Sequence, residues 1–192
     1  MPKVVDQDER RRLIAEAVRR IAADRGLEAV SLGEVAAEAG ISKGLVQHYF
    51  SSKDEMLRYA TTTLRGQVEE QLPADLGEAG LRATVLALLP VDEKRRSDAL
   101  VANAFLMRAL KDPEIAERFR AGHAQLRAMI AALIVGSQAA GDVSMDLDPT
   151  TEADLVLALV SGLADAVLLG YRTPDEAAHL VDLHLARLAP RP

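Results

Sequence analysis

The stretch from Ser31 to Lys53, SLGEVAAEAGISKGLVQHYFSSK, constrains the fold more than any other part of the chain. It reads as two short helices around a tight turn, with a third helix following at once. Ser31 is placed to cap the first helix, and Glu34 stands at the N3 position that completes a capping box. Val35, Ala36 and Ala39 give that helix an apolar side, and Gly40 supplies the left-handed residue that stops it. Ile41 plugs the space between the helices. Ser42 then caps a second helix, Lys43 to Tyr49, with Val46 and Phe50 turned to the core and Lys43, Gly44, Leu45, Gln47, His48 and Tyr49 outside or at its edge. A short helix with polar and small residues outward suits the major groove, which makes the segment a candidate helix-turn-helix. Lys53, in the first turn of the third helix, is positioned for a DNA phosphate. The DNA-binding candidates are Ser31, Ser42, Lys43, Gly44, Leu45, Gln47, His48, Tyr49 and Lys53, and the partner they imply is double-stranded DNA.

A net charge of −6 opposes nucleic-acid binding at first sight. Its distribution answers the objection: residues 1–60 hold ten Lys/Arg and ten Asp/Glu, so the whole excess lies beyond them. Between Glu38 and Lys53 there is no acid. Arg10, Arg11 and Arg12 are open to two readings, a solvated helix face or a surface that meets DNA. Three Phe, three Tyr and no Trp are too few rings for a stacking platform, which disfavours single-strand binding. With no Cys, disulfides, thiol catalysis and thiolate zinc sites are excluded. No apolar run has the length of a membrane span and no signal-peptide core is present, so a cytoplasmic protein is expected.

The remaining helices are legible from their punctuation. Residues 1–7 read as a loose tail. A first helix is expected from Gln7 to Arg25, capped by Asp6, with Leu13, Ile14, Ala17, Val18 and Ile21 as its apolar stripe and Gly26 as its end. Ser52, with Glu55 in a second capping box, opens a longer helix reaching Pro73. Further helices follow over Leu76 to Leu89, Asp92 to Leu110, Asp112-Pro113 to near Gly141, Asp148-Pro149 to about Tyr171, and Thr173-Pro174 to about Leu188. No strand pattern or internal repeat occurs. The expected fold is all-α, about nine helices: a helix-turn-helix DNA-binding domain over 7–53, continuing into the connecting helix to about 70, then a helical effector-binding and dimerisation domain over 71–192.

The last two helices carry apolar residues on more than one side, among them Leu155, Leu159, Leu163, Val181, Leu185 and Leu188. Both sides must be buried, either within one monomer or by self-pairing. Ser161, Gly162 and Ala166 would permit close helix approach. The interface candidates are Leu159, Gly162, Leu163, Ala166, Val181, Leu185 and Leu188. Asn103, His123 and Asp165 fall among apolar positions, where each is either a satisfied core group or part of a ligand cavity with Leu64, Phe105, Met107 and Phe119. The acidic excess of this half favours neutral or cationic ligands, and the scarcity of rings points to a largely apolar molecule with one or two hydrogen-bonding groups.

No HExxH, nucleophile elbow, Walker loop or dinucleotide fingerprint is present, and no catalytic residue, metal or cofactor is assigned. Glu176 and His179 have Glu-x-x-His spacing, but a di-metal carboxylate bundle needs two such pairs and two further Glu.

The segment AGISKGLVQHYFSSKDEML strongly resembles the DNA-binding region of the TetR (tetracycline repressor-like) family of bacterial regulators. The resemblance is carried by Ala36, Gly40, Ser42, Gly44, the run His48-Tyr49-Phe50, and Ser52-Lys53. Gln47 stands where the family most often has Tyr. The stretch LLPVDEKRRSDALVANAFLMRALKDP looks like the effector domain of the betaine-regulator (BetI-like) branch, which leans toward a small amine ligand. The resemblance implies a homodimer on a pseudo-palindromic operator, with recognition helices roughly 34 Å apart, and a small-molecule effector that releases it by shifting the fourth helix. The expected function is therefore a ligand-responsive transcriptional repressor, not an enzyme. The rival readings are an all-α enzyme or small-molecule-binding scaffold with a vestigial helix-turn-helix, and an activator.

Overall fold

The structure, a computed structural model, describes residues 7–71 and 76–190, with side chains over 63–79 left aside. Asp6, Pro73 and the side chain of Leu64 therefore lie outside the described residues. Among the described residues the chain is helical throughout and contains no strand: α1 Gln7–Arg25, a 3-10 turn Leu27–Ala29, α2 Leu32–Glu38, α3 Lys43–Tyr49, α4 Lys53–Gln71, α5 Leu76–Ala87, α6 Glu93–Ala109, α7 Pro113–Ala140, α8 Pro149–Leu168 and α9 Pro174–Ala186. The expected helices are all present, most with their ends displaced by a residue or two. The exception within an element is α5, which is broken at Gly80 (φ 68°, ψ 176°), a conformation that an L side chain resists.

The helix ends obey the local chemistry. After α2, Gly40 takes φ 65°, Gly40 N–H donates to Ala37 O, and Ile41 N–H donates to Ala36 O at 3.0 Å, the paired bonds of a Schellman stop. Gly141 and Gly170 end α7 and α8 in the same way. Thr173 and Glu176 form a complete capping box on α9. Two other expected boxes are only half formed. Ser31 Oγ accepts Glu34 N–H at 3.1 Å, but the Glu34 carboxylate pairs with Arg25 at 2.8 Å. Ser52 Oγ accepts Glu55 N–H, but the Glu55 carboxylate accepts the N–H and hydroxyl of Ser51 instead. In each case a stronger or nearer donor takes the carboxylate from its capping role.

Packing divides the chain into two compact units, and the division is not a single cut. Residues to Gln67 group with Ser97–Phe119, while 68–96 group with 120 onward. The core of the first unit collects Ile14, Val18 and Ile21 of α1, Val35 of α2, Val46 of α3, Phe50, Met56 and Leu57, together with Val101 and Phe105 of α6 and Ile115 of α7. Arg19 of α1 meets Asp98 of α6 at 2.9 Å, both side chains nearly enclosed. The second unit buries Val85 and Leu89 against Ile130 and Ile134 of α7, Val156, Val160, Leu163 and Val167 of α8, and Val181 and Leu188. Its loop after α7 is tied down by the Gln138 amide, which donates to the carbonyls of Ser144 and Leu147, and by Ser144 N–H on Leu188 O.

Candidate nucleic-acid interface

Helix α3 owes its start to Ser42, whose Oγ accepts Leu45 N–H at 3.1 Å, and its seat to Val46 and Phe50, both fully buried. At about 100° per residue, these anchors leave an outward arc roughly 140° wide, in the order Lys43, Gln47, Gly44, His48. All four are exposed, while Leu45 and Tyr49 sit half-buried at its margins. The Tyr49 ring meets His48 edge to face, with centroids 5.1 Å apart, which steadies the imidazole. Among the described residues, no hydrogen bond or ion pair engages Lys43, Gln47 or His48. Ser31 and Ser42 spend their hydroxyls as caps.

The neighbouring cations differ. Arg20 bonds Glu38 at 2.6 Å, Arg25 bonds Glu34, and Arg19 bonds Glu16 and Asp98. Arg11 lies over the Phe50 and Tyr59 rings, 4.5 and 4.7 Å from their centroids, and reaches Glu55. The Glu55 carboxyl is held below its ordinary range, first by the Ser51 hydroxyl, then by the Ser51 N–H, with Arg11 contributing. Of the α1 arginines left open between solvent and DNA, Arg11 therefore has an internal role, whereas Arg12 is exposed and without an ion pair among the described residues. Lys53 is half-buried, and its ammonium donates to Leu27 O at 3.0 Å, tying α4 to the 3-10 turn. One of its three N–H groups is thus committed inside the unit.

The ligand candidates divide between the units. Phe105 is fully buried in the first core and Phe119 packs against that core, whereas Asn103 and Met107 are exposed on α6. His123 and Asp165, in the second unit, are exposed as well; His123 Nε2 lies 3.8 Å from Asp154. The expected burial of Asn103, His123 and Asp165 is therefore corrected: each is exposed, Asn103 beside the exposed Leu106 and Met107 of α6 and Asp165 on the same outward side of α8 as Gly162. Glu176, considered for a metal, is occupied by its capping box.

The interface candidates also separate. Leu163, Val181 and Leu188 are buried in the second unit's own core, so they face inward, and Leu159, Ala166 and Leu185 are half-buried. Gly162 is exposed. It belongs to an outward stripe on α8 with Leu155 and Ala158, continued by Leu169 at the C-cap, which recur at helical spacing. On α9, Leu183 is the large apolar residue that is exposed. The sequence did carry the signal for this stripe, but overlapping apolar registers on α8 hid which one turns outward.

An all-α chain that presents an exposed polar face from the second helix of a helix-turn-helix, with Lys43 and the nearby Arg12 unpaired among the described residues, has the layout of a DNA-binding regulator. Comparison with known proteins agrees: residues 14–60 match the model for bacterial regulatory proteins of the tetR family, and residues 77–190 match that for the C-terminal part of BetI-type transcriptional repressors. The chain belongs to the TetR family of transcriptional regulators. It is 31% identical over 169 residues to the HTH-type transcriptional regulator PksA of Bacillus subtilis (strain 168), covering 85% of this chain and 81% of that one. A crystal structure of a transcriptional regulator from Rhodococcus sp. Rha1 is 34% identical and superimposes with a TM-score of 0.80 over 93% of this chain and 95% of that one. A regulator from Saccharomonospora viridis, solved in complex with choline, shares the fold at 24% identity and a TM-score of 0.80, over 91% and 94% of the two chains.

Proposed function

We propose that the protein is a homodimeric repressor that holds a pseudo-palindromic operator through α3 and releases it on binding a small molecule. The observation that carries the DNA-binding half is the outward arc of α3, whose polar side chains have no partner among the described residues while Arg11, Arg19, Arg20 and Arg25 are paired. Arg12 and Lys43 supply bonds to phosphates or the groove, and Gln47 and His48 face base edges. The stripe Leu155, Ala158, Gly162 and Leu169 with Leu183 supports self-association through α8 and α9, since a second copy would remove these apolar side chains from water. Cytoplasmic residence follows from this role; among the described residues no helix is long and apolar enough to cross a membrane. The same role makes the protein a regulator rather than an enzyme.

The effector site belongs to the part matching the BetI-type model, residues 77–190. The choline held by the Saccharomonospora relative makes a quaternary ammonium the first class to test. Beyond Phe119, however, Tyr171 is the only aromatic residue in the sequence, and it is exposed, so the second unit cannot enclose such a cation in rings of its own. A largely apolar ligand with one or two hydrogen-bonding groups fits its residues better. The test is a gel-shift titration on a selected duplex, with and without choline, beside native mass spectrometry of the protein as purified. Specific binding by a dimer, relieved by a co-purified or added small molecule, is the expected result; a monomer with no sequence preference at any salt concentration would overturn the proposal.

A further inference from the structure

Helix α6 is apolar on two opposite sides. Val101, Phe105 and Ala109 are buried in the first unit's core. Across the helix from them lie Leu100, Asn103, Leu106, Met107 and Leu110, all exposed, Met107 at 60% and Leu110 at 73%. Leu110 follows the last residue of α6, yet its N–H still donates to Leu106 O, which keeps it in the helical register. Leu100, Asn103, Met107 and Leu110 stand three, four and three residues apart, the spacing of a helix–helix seam, and no charged side chain belongs to it. The helix that carries this seam is fixed to the rest of its unit. Asp98 meets Arg19 of α1 at 2.9 Å, and Arg108 donates to Asp54 of α4 at 2.8 Å. Whatever covers the seam is therefore held in register with the helix-turn-helix.

The size of the patch limits what that is. Leu100, Leu106, Met107 and Leu110 are between 36% and 73% exposed. Together they offer on the order of 400 Å² per copy, half of what a stable independent interface takes from each partner. Such a contact forms only between chains already brought together, where the effective concentration is about millimolar. Two copies on one operator meet that condition and a freely diffusing protein does not. The register is also its own complement. Turned end to end about a twofold axis, Leu100 meets the second copy's Leu110, Asn103 its Met107, and Leu106 its Ala104, large against small. A seam without charge raises no repulsion of its own between two chains that each carry −6.

We infer that α6 pairs antiparallel with α6 of a second copy, and that this contact, made between the units that carry the helix-turn-helix, fixes the half-site spacing the protein accepts. This rests on the reading of the protein as a dimer on a paired operator. The α8–α9 contact tethers the copies; the α6 contact, too small to hold them alone, sets the distance between their α3 helices.

The experiment uses the full-length protein on a duplex selected from random sequence. Antiparallel pairing puts Met107 of the two copies roughly 8 Å apart and Leu110 roughly 16 Å apart. The chain has no cysteine, so Met107→Cys, Leu110→Cys and, as a control at an exposed position off the seam, Glu28→Cys each carry a single thiol. A bis-maleimide about 8 Å long should link Met107→Cys copies on the operator, and the other two variants about tenfold less. Met107→Glu puts a charge into the seam. It should melt as wild type does, bind a single half-site as before, and lose the preference for the selected spacing over duplexes with a base pair inserted or removed. Met107→Leu should keep that preference. Linking of Met107→Cys no stronger than that of Glu28→Cys, or equal to that of Leu110→Cys, would overturn the pairing. So would an intact spacing preference in Met107→Glu, and a lower melting temperature there would assign the face to the unit's own packing. Failure of the wild type to select paired half-sites would instead sink the reading as a dimeric DNA-binding regulator, and this inference with it.

Discussion

Asp112 caps the start of one helix and grips another with the same carboxylate. Its Oδ1 accepts the N–H groups of Glu114 and Ile115 at the start of α7, while Oδ2 accepts Arg58 Nε of α4 at 3.0 Å. The side chain is 2% exposed. From the next turn of α7, Arg118 donates to Thr61 Oγ1 at 2.7 Å and to the backbone carbonyl of Arg58. Within the first unit, α7 thus holds α4 from two directions, one turn beyond the helix-turn-helix.

Burial pushes the Asp112 carboxyl up, but Arg58 and the amides of Ile115 and Glu114 overcome it and hold the group below its ordinary range. In acid the native state therefore binds fewer protons there than the unfolded chain. The stabilisation is complete above the ordinary aspartate range and is lost as pH falls through the native value. Asp112→Asn should flatten the acid side of a stability–pH curve measured by denaturant unfolding. Asp112→Ala, which also removes the cap, should cost about 2 kcal/mol at neutral pH. An unchanged acid limb in Asp112→Asn would contradict the assignment.

Arg11 is a packing residue more than a free charge. Its guanidinium lies over Phe50 and Tyr59 and reaches Glu55 at 3.4 Å. Arg11→Ala should lower stability by about 1–2 kcal/mol, and Arg11→Lys should recover little of it, since an ammonium does not stack as a planar group does. Thermal melts of the two variants decide the matter; full rescue by Lys would show that charge alone is used.

The salt dependence of operator binding should separate two lysines. Lys43 is exposed and has no partner among the described residues, so Lys43→Ala should reduce the slope of log K against log salt by roughly one for each phosphate the side chain neutralises. Lys53 donates to Leu27 O, so Lys53→Ala should lower the melting temperature and change the slope less. Equal slope changes with equal melting points would place Lys53 on DNA as fully as Lys43.

Self-association through α8 and α9 should respond to outward residues and not to inward ones. Leu155 is 50% exposed and Leu183 43%, against 7% for Leu163. Leu155→Glu and Leu183→Glu should fold normally and sediment as monomers with weakened operator binding. Leu163→Ala should instead cost about 2–5 kcal/mol of stability by opening a cavity in the second core. Dimers from both glutamate variants would move the interface elsewhere.

Most of what fixes the helices is local, and the sequence by itself determined it. Asp148, Thr173, Ser42, Gly40 and Gly141 act on backbone groups within a turn of themselves, so the capping and stop bonds are written in short strings of residues. The outward face of α3 was legible for the same reason, because Val46 and Phe50 admit only one seating of a seven-residue helix. What lay beyond local reach was partnership. Nothing in the string told that Glu34 would leave its box for Arg25, that Lys53 would bond a carbonyl 26 residues away, or that Ser97–Phe119 would pack with the helix-turn-helix through Arg19–Asp98 and Arg58–Asp112. On α8, two apolar registers overlap in the sequence, and only the core formed with α7 and α9 chose Val156, Val160, Leu163 and Val167 as the inward one. Periodicity sorts a helix into faces; which face meets a neighbour is decided by the area that can be buried there, and that is a property of the assembled fold.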